Sequence, residues 1–304
     1  MAGRIGDIGV SGLTLGGGIS FISNEYGLAC GNVARFDVSH QLQLAWSHSK
    51  LIREQIVTAR GVIVKASPTR HPDLYWTLRG GGNNFGIVTS FGLQTKPLQD
   101  DILFGGTRAF TEDVFDDVVT AWIDLALNSA QDPKAGNWIA WMDLGVKLAA
   151  TELWYGGPLA DGSHSVGLAP FYNITAMSDT TKTRGHATYV VENEASNTYG
   201  LRGIFYDLTV KASYEIVSRS VDIFFGAMKE LSAVNGVSPV LNWQHITDGS
   251  LKGSVRNGGN AMDFNHALGT TLPMTTRYTR SCQTLCSRSR QNPSRWGLRM
   301  TGCT

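Results

Sequence analysis

The clearest periodicity lies in the middle of the chain. Val114, Phe115, Val118, Val119, Trp122 and Leu125 recur at helical spacing behind Thr111, a residue suited to cap a helix start. Residues 137–144 and 147–155 read as two strands, broken at Gly145 and closed by Gly156 and Gly157. Residues 201–210 read as a further strand. Ser213 opens a second amphipathic helix through Val217, Val221, Phe224, Phe225, Met228 and Leu231, ending near Gly236. Residues 239–246 then read as a strand. Paired strands followed by strand, helix and strand predict an α+β domain, with an antiparallel sheet covered by helices.

The texture differs on either side. Towards the start, Gly6, Gly9, Gly12 and Gly16-Gly17-Gly18 punctuate Ile8, Val10, Leu13, Leu15 and Ile19. Each glycine costs a helix about 1 kcal/mol relative to alanine, so this spacing predicts turns and no helix. A second cluster, Gly80-Gly81-Gly82-Asn83-Asn84-Phe85-Gly86, follows residues 73–79 and leads into the β-branched run Ile87-Val88-Thr89-Ser90-Phe91. Residues 264–304 contain no acidic residue and are rich in Arg, Ser and Thr. They predict an irregular basic tail over 265–304.

Composition narrows the function classes. A chain of 304 residues is long enough for two domains. Lys and Arg number 26 against 25 Asp and Glu, a formal charge of +1, which argues against a nucleic-acid partner. No apolar run approaches the ~20 residues of a membrane span, so no membrane partner is expected. Residues 1–12 do not read as a secretory signal. Cys30 stands apart from Cys282, Cys286 and Cys303, a set that is neither a disulfide framework nor the paired spacing of a zinc site.

The glycine clusters are the strongest chemical signal. Two such clusters beside apolar strands expose backbone N–H groups to a bound anion, and a nucleotide cofactor's phosphate is the usual one. Neither fits G-x-G-x-x-G, because Phe21 and Phe85 take the last position, and no phosphate-binding G-x-x-x-x-G-K-[ST] occurs. From the residues alone, a cofactor cradle and a set of purely structural tight turns both remain open.

A resemblance decides between them. Gly9-Val10-Ser11-Gly12-Leu13-Thr14-Leu15-Gly16-Gly17-Gly18-Ile19-Ser20-Phe21, followed by Tyr26-Gly27-Leu28-Ala29-Cys30-Gly31-Asn32-Val33, resembles the middle of the FAD-binding module of the berberine-bridge-enzyme-like oxidases. These belong to the vanillyl-alcohol oxidase group, with a PCMH-type flavin fold. Pro72 to Trp76 and Arg79 to Thr89 are similar to the next signature of that family. Ser254 to Met262 resembles a stretch near the end of its substrate domain. The resemblance implies a partial PCMH-type FAD-binding subdomain over residues 1–99, then an incomplete α+β substrate domain over 100–264. It implies oxidation of a small organic substrate by hydride transfer to FAD, with O2 as acceptor. Carried over by position, Gly9, Gly12, Leu13, Gly16, Gly17 and Gly18 would run along the pyrophosphate and flavin. Asn32 would sit near the cofactor, and Gly86, Ile87 and Val88 would touch the adenosine side. Ser11 replaces a glycine common in the family motif.

Three departures qualify this. The family's flavin-linking His has no counterpart ahead of Gly3, and Ile5 occupies the place of a second, cysteinyl link. FAD is therefore expected to be non-covalent if bound. Residues 39–56 interrupt a strand–turn–strand unit whose flanks match the family, and read as an insertion, either translated intron or a mis-joined exon. Its His40, Trp46 and His48 read as loop residues. The tail, from residue 270 onward, reads as out-of-frame translation replacing the family's return segment. The expected chain is thus truncated at both ends, and its own activity is in question. The alternative is a catalytically silent binding protein derived from such an oxidase.

No catalytic base can be assigned from spacing. Asp37, Asp143, Glu152, Glu192 and Glu194 are candidates that read equally as solvated carboxylates. His186 and His245 fall in strand-like stretches. Trp141, Trp154 and Tyr155 would line either a substrate cleft or a sheet packing face. Asn173-Ile174-Thr175 fits an N-glycosylation acceptor in a chain that enters the secretory route, as relatives of this family often do.

Overall fold

A computed structural model of the chain describes residues 3–6, 8–36, 56–58, 63–159, 164–194, 203–231, 234, 237–252, 254–255, 258–262 and 271–279. The glycine-rich part opens with α1 (Val10–Leu15) and α2 (Ser23–Tyr26). A single 3₁₀ turn, Ala29–Asn32, leads into β1 (Val33–Phe36). Short strands β2 (Ile56–Val57) and β3 (Ile63–Val64), helix α3 (Pro72–Leu78), β4 (Ile87–Val88) and β5 (Phe91–Leu93) follow. β1 pairs with β5, while β2 lies between β3 and β4, all antiparallel. Leu15, Val33, Phe36, Ala66, Tyr75 and Leu78 form the buried core of this part.

Helix α1 corrects the expectation of turns only. Of the three glycines spaced through it, only Gly12 lies inside, while Gly9 and Gly16 occupy the N-cap and C-cap, where glycine costs little. The penalty counted across the whole stretch therefore falls once. Residues 37–55, with most of the proposed insertion, lie outside the described residues. On its two sides Phe36 bridges Ala66, and Ile56–Val57 pairs with Ile63–Val64.

The second part is one antiparallel sheet. Its elements are β6 (Ile102–Thr111), α4 (Phe115–Leu127), β7 (Ala135–Asp143), β8 (Lys147–Tyr155), α5 (Ala169–Tyr172), β9 (Ser178–Asp179), β10 (Lys182–Gly185) and α6 (His186–Glu194). They continue with β11 (Gly203–Lys211), α7 (Tyr214–Leu231), β12 (Val240–Gln244), α8 (Asp248–Leu251) and β13 (Thr271–Thr279). Strand order is β10-β6-β8-β7-β12-β13-β11, with β9 also on β6. Helices α4 and α7 cover one face, burying Trp122, Val118, Val221 and Phe225 against Ile139, Trp141, Leu241 and Trp243. The helical and strand periodicities therefore converge on one core, as the α+β pattern predicted.

Two further expectations change. Thr271–Thr279, read as part of an irregular tail, is an inner strand between β12 and β11. Its Leu272, Met274, Thr276 and Tyr278 alternate at period two, a signal masked by the Arg- and Ser-rich composition around it. The β12 ladder stops at Trp243–Met274, next to Pro273, which has no N–H to contribute. The sheet thus runs past residue 264; residues 280–304 lie outside the described ones. His186 opens α6 instead of lying in a strand, because the strand character of 182–185 ends at Gly185.

Candidate functional site

The two glycine clusters meet. Gly17 and Gly18 adopt φ of +120° and +82°, Gly80 and Gly82 +94° and +70°, conformations that side chains disfavour. The Gly82 N–H donates to the Leu15 carbonyl at 3.0 Å, joining the clusters backbone to backbone. The 3₁₀ turn clasps the first cluster, with Ala29 N–H on the Gly18 carbonyl and Cys30 N–H on that of Gly17, both at 2.8 Å. Leu15 and Val88 share one apolar cluster, so Gly16–Gly18 and Gly86–Val88 border the same small core.

The sequence-derived cofactor residues divide into an outer and an inner set. Gly9, Gly12 and Gly16 are exposed, and a β-carbon at Gly12 would meet nothing within 4 Å. Ile87 is 70% exposed beside Gly86, whose φ is +143°, and Val88 is half-buried. This is a side-chain-poor surface open to a ligand. Gly17 and Gly18 are buried, and the space of their absent side chains is taken by Met262 and Ala29. Leu13 is half-buried against Gly18. Asn32 is buried, its Nδ2 donating to the carbonyls of Tyr26 and Leu28 at 3.1 and 3.0 Å, while its Oδ1 has no partner. The outer set lies at the surface, and the inner set packs beneath it and shapes its backbone.

Further residues of the matched stretches complete the site. Arg79 is fully buried, donates to the Gly259 carbonyl, and lies 4.3 Å over the Tyr75 ring. Burial holds its guanidinium pKa below the ordinary value. Tyr75 in turn donates to the Val33 carbonyl at 2.7 Å. Cys30 is completely buried, and burial pushes its thiol up to about 11, so it is a neutral packing group at ordinary pH.

The sheet face opposite α4 and α7 looks towards this region. Trp154 on β8 has Gly105 of β6 opposite it on one side and Gly136 of β7 on the other. A β-carbon at Gly136 would lie 2.6 Å from the Trp154 ring, and one at Gly105 2.6 Å from the Tyr189 hydroxyl. Phe21, just beyond the first glycine cluster, stacks on Tyr189 at 4.7 Å and meets Trp154 edge-on at 5.5 Å. Arg4 sits 5.1 Å over Trp154 and donates to Gln244 at 2.9 Å. These contacts join the glycine-rich part to the sheet. Beside them, the buried carboxylate of Glu152 accepts from Trp138 Nε1 and Asn193 Nδ2. Burial, with Glu152 nearby, raises the Tyr189 phenol well above its usual range.

Of the other candidates, Glu192 pairs with Lys182 and Arg184 on the surface, and Asp143 accepts from Gly145 N–H in an exposed hairpin. Trp141 and Tyr155 face the helix-side core, and only Trp154 faces the glycine-rich part. His245 packs 4.1 Å from Trp122, and burial lowers its imidazole to about 3. Asp37, His40, Trp46, His48, Cys282, Cys286 and Cys303 lie outside the described residues. Among the described residues no group of His, Cys, Asp and Glu could hold a metal, and no helix is long and apolar enough to cross a membrane.

No family model matches the chain. It is 39% identical over 132 residues to an uncharacterised FAD-linked oxidoreductase of Arthroderma benhamiae, covering 43% of this chain and 23% of that protein. It is 28% identical over 290 residues to an FAD-dependent monooxygenase of Fusarium proliferatum, covering 88% of this chain and 50% of the relative. The chain thus spans at most half the length of these relatives. Among solved structures, glucooligosaccharide oxidase from Acremonium strictum superposes with a TM-score of 0.67 at 20% identity, over 97% of this chain and 57% of that one. The 6-hydroxy-D-nicotine oxidase of Arthrobacter nicotinovorans gives 0.66 at 18%, over 99% and 62%. The chain is thus similar in sequence to FAD-linked oxidoreductases and shares the fold of these oxidases and of berberine bridge enzyme.

Proposed function

We propose that the chain is a cofactor- and substrate-domain portion of an FAD-dependent oxidoreductase that oxidises a small organic molecule, with O2 as the electron acceptor. The observation that carries this reading is the docking of the two glycine clusters through Gly82 and Leu15, which leaves a side-chain-free outer surface at Gly9, Gly12 and Gly16. A dinucleotide needs such close backbone approach along its pyrophosphate. The residues present therefore fit the group.

In this reading Gly9, Gly12, Leu13 and Gly16–Gly18 form the wall along the pyrophosphate and flavin, and Gly86–Val88 the adenosine side. Asn32 fixes the 26–28 turn with its amide nitrogen, and its free Oδ1 supports the cofactor side of that turn. FAD supplies two-electron redox chemistry when bound. The open sheet face supplies the substrate wall: Trp138, Asn242 and Gln244 alternate away from the helix-side core and remain half-buried. Trp138 offers an apolar plate, and the two amides offer donors and acceptors to a polar substrate. Glu152 orients the Trp138 indole and the Asn193 amide, and its two engaged oxygens make it an orienting group instead of the proton acceptor.

The test is reconstitution. The purified chain is incubated with FAD, separated from free cofactor and examined for flavin absorbance. It is then challenged without oxygen by primary alcohols, oligosaccharides and amines. Retained flavin colour that bleaches with one substrate class, and returns with O2, is expected. A chain that stays colourless at high FAD overturns the reading and leaves a flavin-free binding protein.

A further inference from the structure

We propose that Met262, held in place by Arg79, is a positioning residue for the cofactor cradle: its thioether sets the spacing of the two glycine turns. The inference rests on the FAD reading above and gives roles to two residues for which that reading has none.

Three segments far apart in sequence converge here. Gly17 is buried and Gly80 half-buried, and each has the Met262 side chain where its own would be. A β-carbon on Gly17 would lie 2.9 Å from Met262 Cε and Sδ, and one on Gly80 2.2 Å from Met262 Cγ. One unbranched side chain therefore separates the two turns. The Cys30 thiol closes the packet, with its Sγ 3.8 Å from Met262 Sδ.

The loop that delivers Met262 is itself fixed. Gly258 and Gly259 take φ of +82° and +87°, and Asn260 Oδ1 accepts from the Met262 N–H at 3.0 Å. Arg79, the residue next to Gly80, grips this loop at two points. Its guanidinium donates to the Gly259 carbonyl, and its own carbonyl accepts from Ala261 N–H at 2.9 Å. The second glycine cluster thus grips the loop that props it away from the first. The spacing of the dinucleotide-facing backbone is dictated from residues 258–262, and a site loosened by even one ångström loses its preorganisation.

A structural filler and a positioning residue differ in what their removal does to ligand affinity. FAD is titrated into the full chain and into Met262→Ala, Met262→Leu and Met228→Ala, following flavin fluorescence, with thermal unfolding recorded without FAD. Met228 is a buried methionine in α7, part of the helix-side core and remote from the glycine turns. Met262→Ala is expected to weaken FAD binding tenfold or more, Met262→Leu to stay within about threefold because it conserves volume, and Met228→Ala to lower the unfolding temperature while leaving affinity unchanged. Wild-type affinity in Met262→Ala, or an equal loss in Met228→Ala, overturns the positioning role alone. Absence of FAD binding in the unmodified chain overturns the cofactor reading, and the inference with it.

Discussion

The two faces of the large sheet are built on opposite principles. The face under α4 and α7 is closed by Trp122, Trp141, Trp243, Phe225 and aliphatic neighbours, with Trp122 and Trp243 crossing at 6.3 Å. The other face carries Arg4, Glu152, Trp138, Asn193, Tyr189 and Arg184, an interlocked set in which nearly every polar group has a named partner. Volume holds the first face together; charge and hydrogen-bond geometry hold the second. A chain that spends one face on stability can keep buried charge on the other, where orientation matters more than burial.

This contrast can be broken from either side. The largest effect is expected for Trp122→Ala, which empties the helix-side core and should cost about 3–5 kcal/mol in chemical denaturation, whereas Trp122→Phe, which keeps an apolar ring, should cost much less. A loss as small as that of a surface change would show that this face is not the one holding the fold. Next comes Glu152→Gln, a change of nearly constant volume. Its new amide group must face either Trp138 Nε1–H or Asn193 Nδ2–H, donor against donor, and Arg4 loses its nearby negative charge. A cost of about 1–3 kcal/mol is expected, with a shift in Trp138 emission. An unchanged denaturation midpoint would refute the polar account of this face.

The smallest effect is a slope. His245 is held neutral down to about pH 3 by burial, so in acid the unfolded chain binds a proton that the folded chain refuses. Its contribution is complete above the unfolded-state value near 6.5 and is lost as pH falls from there towards 3, by at most about 1.4 kcal/mol per pH unit. His245→Phe should flatten stability against pH in that window. An identical slope in the variant would assign the acid sensitivity to other groups.

How much of this was legible in the sequence depends on the kind of signal. Val118, Trp122, Val221 and Phe225 declare their helices because apolar spacing and burial coincide, so the sheet and its helical cover follow directly. Helix α1 was hidden because its glycines were weighed by number, while two of the three sit at caps. Strand β13 was hidden by the composition around it. The proposed cofactor residues are legible only through motif resemblance, since turn-forming and ligand-facing glycines look alike in a sequence. Arg79 and Met262 lie inside stretches that resemble the family, yet their roles carry no local signal: Arg79 meets its partner 180 positions away, and nothing local marks a role that distant neighbours define.

The bed of Trp154 has a mechanical consequence. The indole is flanked by Gly105 and Gly136 on adjoining strands, and Phe21 from the glycine-rich part lies against it and against Tyr189. Even a methyl group at position 105 or 136 would strike Tyr189 or the Trp154 ring, and through them displace Phe21 and loosen the seam between the sheet and the glycine-rich part.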